Sequence, residues 1–507
     1  MKRLSQLFAA TALGLLLGVL PAGAQAVPLT ILHTNDTHGH LLPFSYPDAF
    51  ATNREFVGLR TLKDIGGIAR RATLVKRIRQ ELQGRKTPVW LVDVGDYSDG
   101  TPFSTEYRGE ADVAAMNATG YDFGTLGNHE FNYPFAQLEK LIAATRYALV
   151  SSNTTKRATG RPLAEPFVIR TVGPLKVALF GLTTGEAATY PAGKEAVDVA
   201  DVVESARKMV AALRPKANIV VLLSHAGQEM DERLADSVPG IDVIVGGHSH
   251  SRLPSGNFVW RSEDLRATDV NGTVIVQAHQ WGGELGRLDL LFTRDEKGSW
   301  HVDRYRARLL PITPDIQEDA EVAAVVDRFW KPISAKYGEV FGEAAGEFST
   351  RGEDAAEYNL VADAVRETFA ADFGMENMGG IRAPLLGGPI TRADLVTMDP
   401  FDNTVVLFKA TGREIRQILE RHAPAVSGIR YRVQDRKLVE VTICGQPLED
   451  DKTYTGVTNS YFAGYEALKG LSKQDTGKPR LETVASYIRQ QKTVRPSYDG
   501  RRVVIRN

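Results

Sequence analysis

Residues 219–250 read IVVLLSHAGQEMDERLADSVPGIDVIVGGHSH. Two short apolar runs, Ile219–Leu223 and Ile241–Val245, each end in a polar, histidine-bearing cluster. Continuous Val, Ile and Leu over so few residues is the pattern of a strand buried on both faces, as in a sheet covered on each side. Working outward, the same texture recurs at Leu29–Thr34, Val89–Val94, Ala148–Ser151, Val177–Leu182, Val274–Gln277 and Leu288–Phe292. Amphipathic stretches at Gly67–Leu82, Phe135–Thr145 and Ala200–Leu213 lie between several of these runs and predict helices. Strands alternating with helices predict an α/β layered domain.

Five polar clusters sit just after apolar runs or in turns that follow helices. They are Asn35-Asp36-Thr37-His38-Gly39, Asp93-Val94-Gly95-Asp96, Gly127-Asn128-His129-Glu130, Ser224-His225-Ala226-Gly227 and Gly246-Gly247-His248-Ser249-His250. Ligands gather at the carboxyl ends of strands in an α/β sheet, so the clusters are expected to converge on one edge. Asp36, His38, Asp96, Asn128, His225, His248 and His250 are all competent metal ligands. The set mixes oxygen with imidazole nitrogen and has no thiolate, which suits Zn, Mn, Fe, Co or Ni better than Ca or Mg. Seven side chains exceed the need of one catalytic ion, and one carboxylate can bridge two. Five of the chain's ten histidines fall in these clusters, too many for structural histidines scattered by chance.

The composition, 43% hydrophobic and 24% charged, is that of a folded globular protein and excludes a disordered or multi-span membrane chain. A net charge of -1 and the lack of a long basic run argue against a nucleic-acid partner. The first 26 residues differ. Lys2 and Arg3 precede an apolar run from Leu7 to Leu20, and Ala24-Gln25-Ala26 offers a small-x-small cleavage site. The run is too short to span a bilayer comfortably. A signal peptide over 1–26 is the expectation, with a periplasmic or secreted product carrying no stable membrane anchor. A single cysteine, Cys444, excludes an intramolecular disulfide and reads as a buried small residue.

The texture changes near Leu310–Asp319, where Pro311 and Pro314 punctuate the chain. A polar helix is expected over Ile316–Tyr337. Beyond it the strand-and-helix pattern restarts, with a capping box at Thr411-Gly-Arg-Glu414 and an acidic version at Thr391-Arg-Ala-Asp394. The expected organisation is 27–310, a linker helix over 311–340, and a second α/β domain over 341–507.

The ordered set Asn-Asp-x-His-Gly, Gly-Asp, Gly-Asn-His-Glu-Phe, Ser-His-x-Gly and Gly-Gly-His-x-His resembles the two-metal metallophosphoesterase domain of the 5'-nucleotidase family. Asn377-Met-Gly-Gly-Ile-Arg382 and Pro400-Phe401-Asp-Asn403-Thr resemble that family's second domain. The resemblance spans essentially the mature chain. It implies a layered β-sandwich flanked by helices plus a C-terminal α/β domain, two divalent ions (Zn, Mn or Co), and hydrolysis of nucleoside 5'-monophosphates by a monomer. One ion would take Asp36, His38, His250 and bridging Asp96; the other Asp96, Asn128, His225 and His248. His129 would stabilise charge on the phosphoryl group, with Asn132 as its partner, and Arg382 would bind the substrate anion. Asn377, Gly379, Phe401 and Tyr461 would complete the substrate pocket.

Several positions depart from the family pattern. Asn132 stands where the family has Asp, so the imidazole has a hydrogen-bond partner without a charge. Tyr358 replaces the usual Gly before Asn359-Leu360, arginines common near that helix are absent, and Gly464-Tyr465-Glu466 replaces a Gly-Gly-Asp-Gly loop. His279 stands where a small residue is common and reads as a loop histidine. Related substrates are therefore carried alongside: 2',3'-cyclic phosphodiesters and nucleotide-sugars. Two other classes compete, a sulfur-oxidation thiohydrolase of the same fold and a non-catalytic nucleotide-binding protein.

Overall fold

A computed structural model of the chain describes residues 26–48, 62–260, 272–295, 298–351 and 353–505. The segment read as a signal peptide thus lies outside the described residues, Ala26 excepted. The fold is mixed α/β, and the chain divides into two compact units. The first comprises Met1–Thr37, Arg71–Tyr97 and Gly120–Leu310; the second comprises His38–Arg70, Ser98–Thr119 and Pro311–Asn507.

The first unit holds strands β1 (Val27–Thr34), β2 (Val89–Asp93), β3 (Phe123–Gly124), β4 (Ala148–Leu149), β5 (Phe167–Val172), β6 (Leu175–Thr183), β7 (Ile219–His225), β8 (Val243–Gly246), β9 (Asn257–Trp260), β10 (Gly272–Val276), β11 (Glu284–Arg294) and β12 (Trp300–Pro311). They form two six-stranded sheets, ordered β12-β11-β1-β2-β3-β4 and β9-β10-β8-β7-β6-β5. The inner strands run parallel, β1 with β2 and β6 with β7 and β8. Antiparallel partners β11, β5 and β9 flank them.

Alternation along the strands divides the core. Leu29 and Ile31 of β1 pack with Val221 and Leu223 of β7 and Val243 and Val245 of β8, all essentially inaccessible. The intervening residues Val220, Leu222 and Ile244 pack outward with Val210 and Leu213 of the helix Val202–Leu213 and Leu234 of the helix Gln228–Ser237. Both faces of β7 are therefore buried, which explains its unbroken apolar reading. Each such side chain contributes roughly 1.5–3 kcal/mol.

In the second unit a five-stranded sheet runs in the order Ala425–Ser427, Phe373–Glu376, Thr453–Asn459, Thr404–Thr411 and Ser472–Pro479. The helices Ala356–Thr368 and Arg480–Gln491 supply one core, and Gly412–His422 packs in another. Thr391 and Thr411 both close full capping boxes, with Asp394 and Glu414. The expected helix over Ile316–Tyr337 is instead two, Ala320–Trp330 and Ser334–Tyr337; Asp319 caps the first by accepting from Val322 N at 3.2 Å. Cys444 is exposed rather than buried. It occupies a turn in the left-handed region, φ 49°, and its Sγ reaches Asp372 O at 3.4 Å.

Arg480 is the polar centre of this unit and is fully inaccessible. It donates to Asp399 at 2.6 and 2.7 Å, to Glu376 Oε2 at 2.5 Å and to Gly380 O at 3.1 Å. Removing it strands two buried carboxylates. Arg480→Met is expected to lower stability by about 3–5 kcal/mol, read as a fall in the urea midpoint; a midpoint equal to that of the natural chain would show the carboxylates to be compensated elsewhere.

Candidate metal centre

The first unit brings the polar clusters to the carboxyl ends of its inner strands. After β1, Asn35 donates to Asp36 Oδ2 at 2.7 Å and to His279 O at 2.6 Å, while its own oxygen accepts from Ala278 N at 2.8 Å. Asp36 N donates to Gly95 O at 3.0 Å, and Asp36 Oδ2 accepts from His248 N at 2.9 Å. After β2, Asp93 accepts from Gly95 N at 3.0 Å and from Thr34 Oγ1 at 2.6 Å, closing the turn that carries Asp96. After β3, the fully buried Glu130 accepts from three backbone N–H groups: Asp96 at 2.9 Å, Tyr97 at 3.0 Å and Gly127 at 2.7 Å. Asp96 Oδ1 in turn accepts from His129 N at 2.8 Å.

These loops leave no room for side chains between them. A Cβ on Gly95 would lie 2.2 Å from Gly127 N, and one on Gly127 would lie 2.1 Å from Asp96 Oδ1. Asp36, His38, Asp96, His248 and His250 all occupy the left-handed region, with φ between 47° and 72°. Each costs a non-glycine residue on the order of 1–3 kcal/mol, and such strain gathers at functional sites.

Asp96 Oδ2 lies 3.0 Å from His225 Nε2, and His250 Nε2 lies 3.3 Å from Asp36 Oδ1. One ligand atom from each of Asp96, His225 and His248 falls within 4.8 Å of the others. His225 is inaccessible, and its Nδ1 meets Val94 O at 2.6 Å. That bond places the proton on Nδ1 and leaves Nε2 as the ligand atom. His38, two residues beyond Asp36, is held the same way, its Nδ1 at 2.8 Å from Asp99 O. Asn128 Nδ2 donates to Tyr190 Oη at 3.3 Å, while its buried Oδ1 has no hydrogen-bond partner among the described residues. An amide oxygen and an imidazole nitrogen, both buried and lacking a donor, fit a bound cation.

The electrostatics agree. Burial raises the Asp36 carboxyl, but His250 and His225 outweigh it and hold it below the usual carboxylate range. Burial, together with the Asp96 charge, pushes Glu130 up to about 8. Burial opposes protonation of His225, yet Asp96 and Asp36 draw it up to about 10. A buried group of carboxylates that forces a proton onto an imidazole is one that calls for positive charge.

His129 is buried within this group, one of its ring nitrogens within 4.8 Å of a carboxylate oxygen of Asp96. Its Nδ1 accepts from Asn132 Nδ2 at 2.9 Å, its Nε2 lies 4.0 Å from Asp96 Oδ2, and its ring is 5.6 Å from that of Tyr190. His279 lies in the loop after β10, as expected, but is buried there: it is 7% exposed, with φ 58°, and burial holds it down at about 3.

In the second unit, Asn377 is buried, its Oδ1 taken by Asn459 Nδ2 at 3.0 Å. Gly379 is exposed with φ 94°. Arg382 is half-buried, and its guanidinium makes no hydrogen bond or ion pair with any described residue. Phe401 is half-buried, and Tyr461 is 62% exposed with its ring 5.6 Å from that of Tyr465. Sequence reasoning missed Tyr190 and Glu186, whose Oε1 lies 3.9 Å from His248 Nε2. Both lie on a segment with no motif to mark them.

Fold and site together define a calcineurin-like metallophosphoesterase. The sequence matches the calcineurin-like phosphoesterase family over residues 29–252 and the 5'-nucleotidase C-terminal domain over residues 340–470. It is 30% identical to a snake venom 5'-nucleotidase from Gloydius brevicauda, covering 95% of this chain and 90% of that protein. The structure of a 5'-nucleotidase precursor from Thermus thermophilus superposes with a TM-score of 0.83 at 29% identity, covering 95% of this chain and all of that one. The Thermus thermophilus sulfate thiohydrolase SoxB shares the fold, with a TM-score of 0.78 at 22% identity over 94% of this chain and 97% of its own. The chain belongs to the 5'-nucleotidase family and is a hydrolase of phosphoric ester bonds that depends on divalent metal ions.

Glu130→Gln replaces one acceptor oxygen by a donor that faces backbone N–H groups. Metal affinity is expected to fall about 10–100-fold, measured by titration calorimetry with Mn(II); an unchanged affinity would mean the two loops hold their places without that carboxylate.

Proposed function

We propose that the chain is an exported 5'-nucleotidase that binds two metal ions and converts a nucleoside 5'-monophosphate and water to nucleoside and phosphate. The observation that carries this is the buried, strained carboxylate of Asp96 facing His225 and His248, with the undonated oxygen of Asn128 nearby. Asp36, His38, His250 and Asp96 would hold one ion, and Asp96, Asn128, His225 and His248 the other. Bound there, divalent ions such as Zn, Mn or Co would supply Lewis acidity and an activated water.

The chain's own residues do the rest. Asn132 Nδ2 is a donor, so His129 Nδ1 accepts and the ring proton sits on Nε2. His129 thereby offers an N–H to a phosphoryl oxygen as negative charge grows there. Arg382, whose guanidinium has no partner among the described residues, is suited to the phosphate by its planar fork. Phe401 and exposed Tyr461 offer aromatic faces to a base. Asn377 would act through the loop it anchors, because its amide oxygen is already bonded to Asn459.

In this reading residues 27–310 form the metal domain, 311–340 a linker and 341–507 the substrate domain. Residues 1–26 direct export to the periplasm or beyond, and among the described residues no helix is long and apolar enough to cross a membrane. Related esters, 2',3'-cyclic phosphodiesters and nucleotide-sugars, fall within the same chemistry. A thiohydrolase role has only the shared fold behind it, whereas Asn377–Arg382 and Pro400–Asn403 favour a nucleotide.

Purified protein loaded with Mn or Zn is expected to release phosphate from AMP, and chelator or His129→Ala to abolish most of that release. Activity on a generic ester but not on AMP would retain the reaction class and discard the nucleoside. Asp96→Asn should remove metal binding and turnover together, since its charge is shared by both proposed sets; retained turnover sinks the bridging assignment. Asn132→Asp gives His129 a charged partner and should raise kcat several-fold. An unchanged kcat would show that the amide serves as well as the carboxylate.

A further inference from the structure

The loop Asn377–Arg382 contains two adjacent glycines, one at φ 94°. Such a loop loses much backbone freedom on ordering, and something must hold it if Arg382 is to point in one direction. Arg382 itself brings no ion pair. Its backbone N–H donates to Met398 O at 2.8 Å. Arg480 Nη2 donates to Gly380 O at 3.1 Å, and Asn459 holds Asn377. Between these anchors, the side chain among the described residues that bonds the backbone at Gly379 and Ile381 is Tyr358.

Tyr358 lies in the first turn of the helix Ala356–Thr368 and is 6% exposed. Its ring packs in the core cluster that includes Ile381 and Leu385. Its hydroxyl accepts from Gly379 N at 2.7 Å and from Ile381 N at 3.3 Å, and donates to Ile381 O at 3.2 Å. One donor and two acceptors are all that a phenol hydroxyl offers, and each is used on this loop.

We propose that Tyr358 is the positioning residue of the anion-binding loop: its hydroxyl takes the backbone N–H groups of Gly379 and Ile381 and thereby sets the direction in which Arg382 presents its guanidinium. The inference rests on the reading of Arg382 as the residue that meets the substrate phosphate. It has a consequence for recognition. The two N–H groups are turned inward to the phenol, so they are not offered to a ligand. The substrate anion is then met by the arginine fork, and the loop contributes pre-organisation rather than hydrogen bonds. A glycine at position 358, the usual residue in the family pattern, has no hydroxyl to do this.

Tyr358→Phe keeps the ring and removes the hydroxyl. In the full chain loaded with Mn(II), KM for AMP is expected to rise about tenfold with kcat within about twofold. Hydrogen exchange, followed by mass spectrometry, should accelerate over residues 377–382 and stay unchanged in the strands of the first unit. Mn(II) affinity should not move. In Arg382→Ala the KM should rise as well, and the double variant should be no worse than Arg382→Ala alone, because the tyrosine acts through the arginine. Additive effects, or unaltered exchange over residues 377–382, would overturn the inference while leaving the nucleotidase reading in place. An unchanged KM in Arg382→Ala would overturn the reading of Arg382 and the inference with it. If the natural chain does not turn over AMP, the proposed function fails, and the exchange measurement still decides whether the hydroxyl holds the loop.

Discussion

Everything at the candidate metal centre depends on two loops meeting backbone to backbone. The turn after β2 and the turn after β3 approach so closely that neither Gly95 nor Gly127 can carry a Cβ. At that spacing peptide dipoles and the Asp96 carboxylate crowd together, and the arrangement would spring open without a strong acceptor inside it. Glu130 is that acceptor, taking one N–H from the second of these loops and two from the first. A carboxyl group has two oxygens with which to accept all three, whereas an amide would turn a donor toward the same N–H groups. The parallel strands beneath supply the rigidity, and their burial on both faces supplies the stability that the strained φ angles of Asp36, Asp96, His248 and His250 draw on.

The two units treat buried charge in opposite ways. In the second, Arg480 is matched bond for bond by Asp399, Glu376 and Gly380, and the result is a closed structural network. In the first, Asp36, Asp93, Asp96 and Glu130 are gathered where imidazoles and, beside Asp93, the Arg71 guanidinium offset the charge only in part. Burial pushes Asp93 up to about 7 and Glu130 to about 8. A protein built for stability alone would not leave that imbalance. Arg382 is the converse case, a half-buried cation with no partner among the described residues in a unit that matches the buried Arg480 guanidinium completely.

Much of this was legible in the sequence, because it is written in periodicity and motif. β7 and β8 announce themselves as continuous apolar runs, and both capping boxes lie where Thr391 and Thr411 placed them. The helix Gln228–Ser237 was not legible, since QEMDERLADS has too few apolar residues to show a stripe and buries only Asp231, Leu234 and Ala235. β3, two residues long, is below the length at which any pattern can register. The long helix expected from Ile316 to Tyr337 breaks at residues 331–333 because Pro332 has no N–H to donate and its ring clashes with the preceding turn, a signal the sequence did carry. Cys444 misled because composition places cysteine inside, whereas a hairpin turn in the left-handed region turns it out. Tyr190 and the hydroxyl of Tyr358 act through distances across the fold, which local sequence does not encode.

The departures from the family pattern acquire a common physical sense when charge and order are considered together. A carboxylate at position 132 would add a further acidic group to a unit that already gathers Asp36, Asp93, Asp96 and Glu130. The amide at that position instead donates to His129 Nδ1 and fixes the neutral ring with its proton on Nε2. Under the proposed nucleotidase reading, that choice would give up the charge of an imidazolium and leave a dipole in its place, and more of a phosphate's charge would fall to Arg382 and the bound ions. An arginine carrying that share must be held well. Tyr358, another departure, supplies the constraint through the backbone of the loop rather than through a carboxylate partner, which would have neutralised the very charge the substrate needs. In that reading the two substitutions move in one direction, away from protonated histidine and toward a pre-set guanidinium.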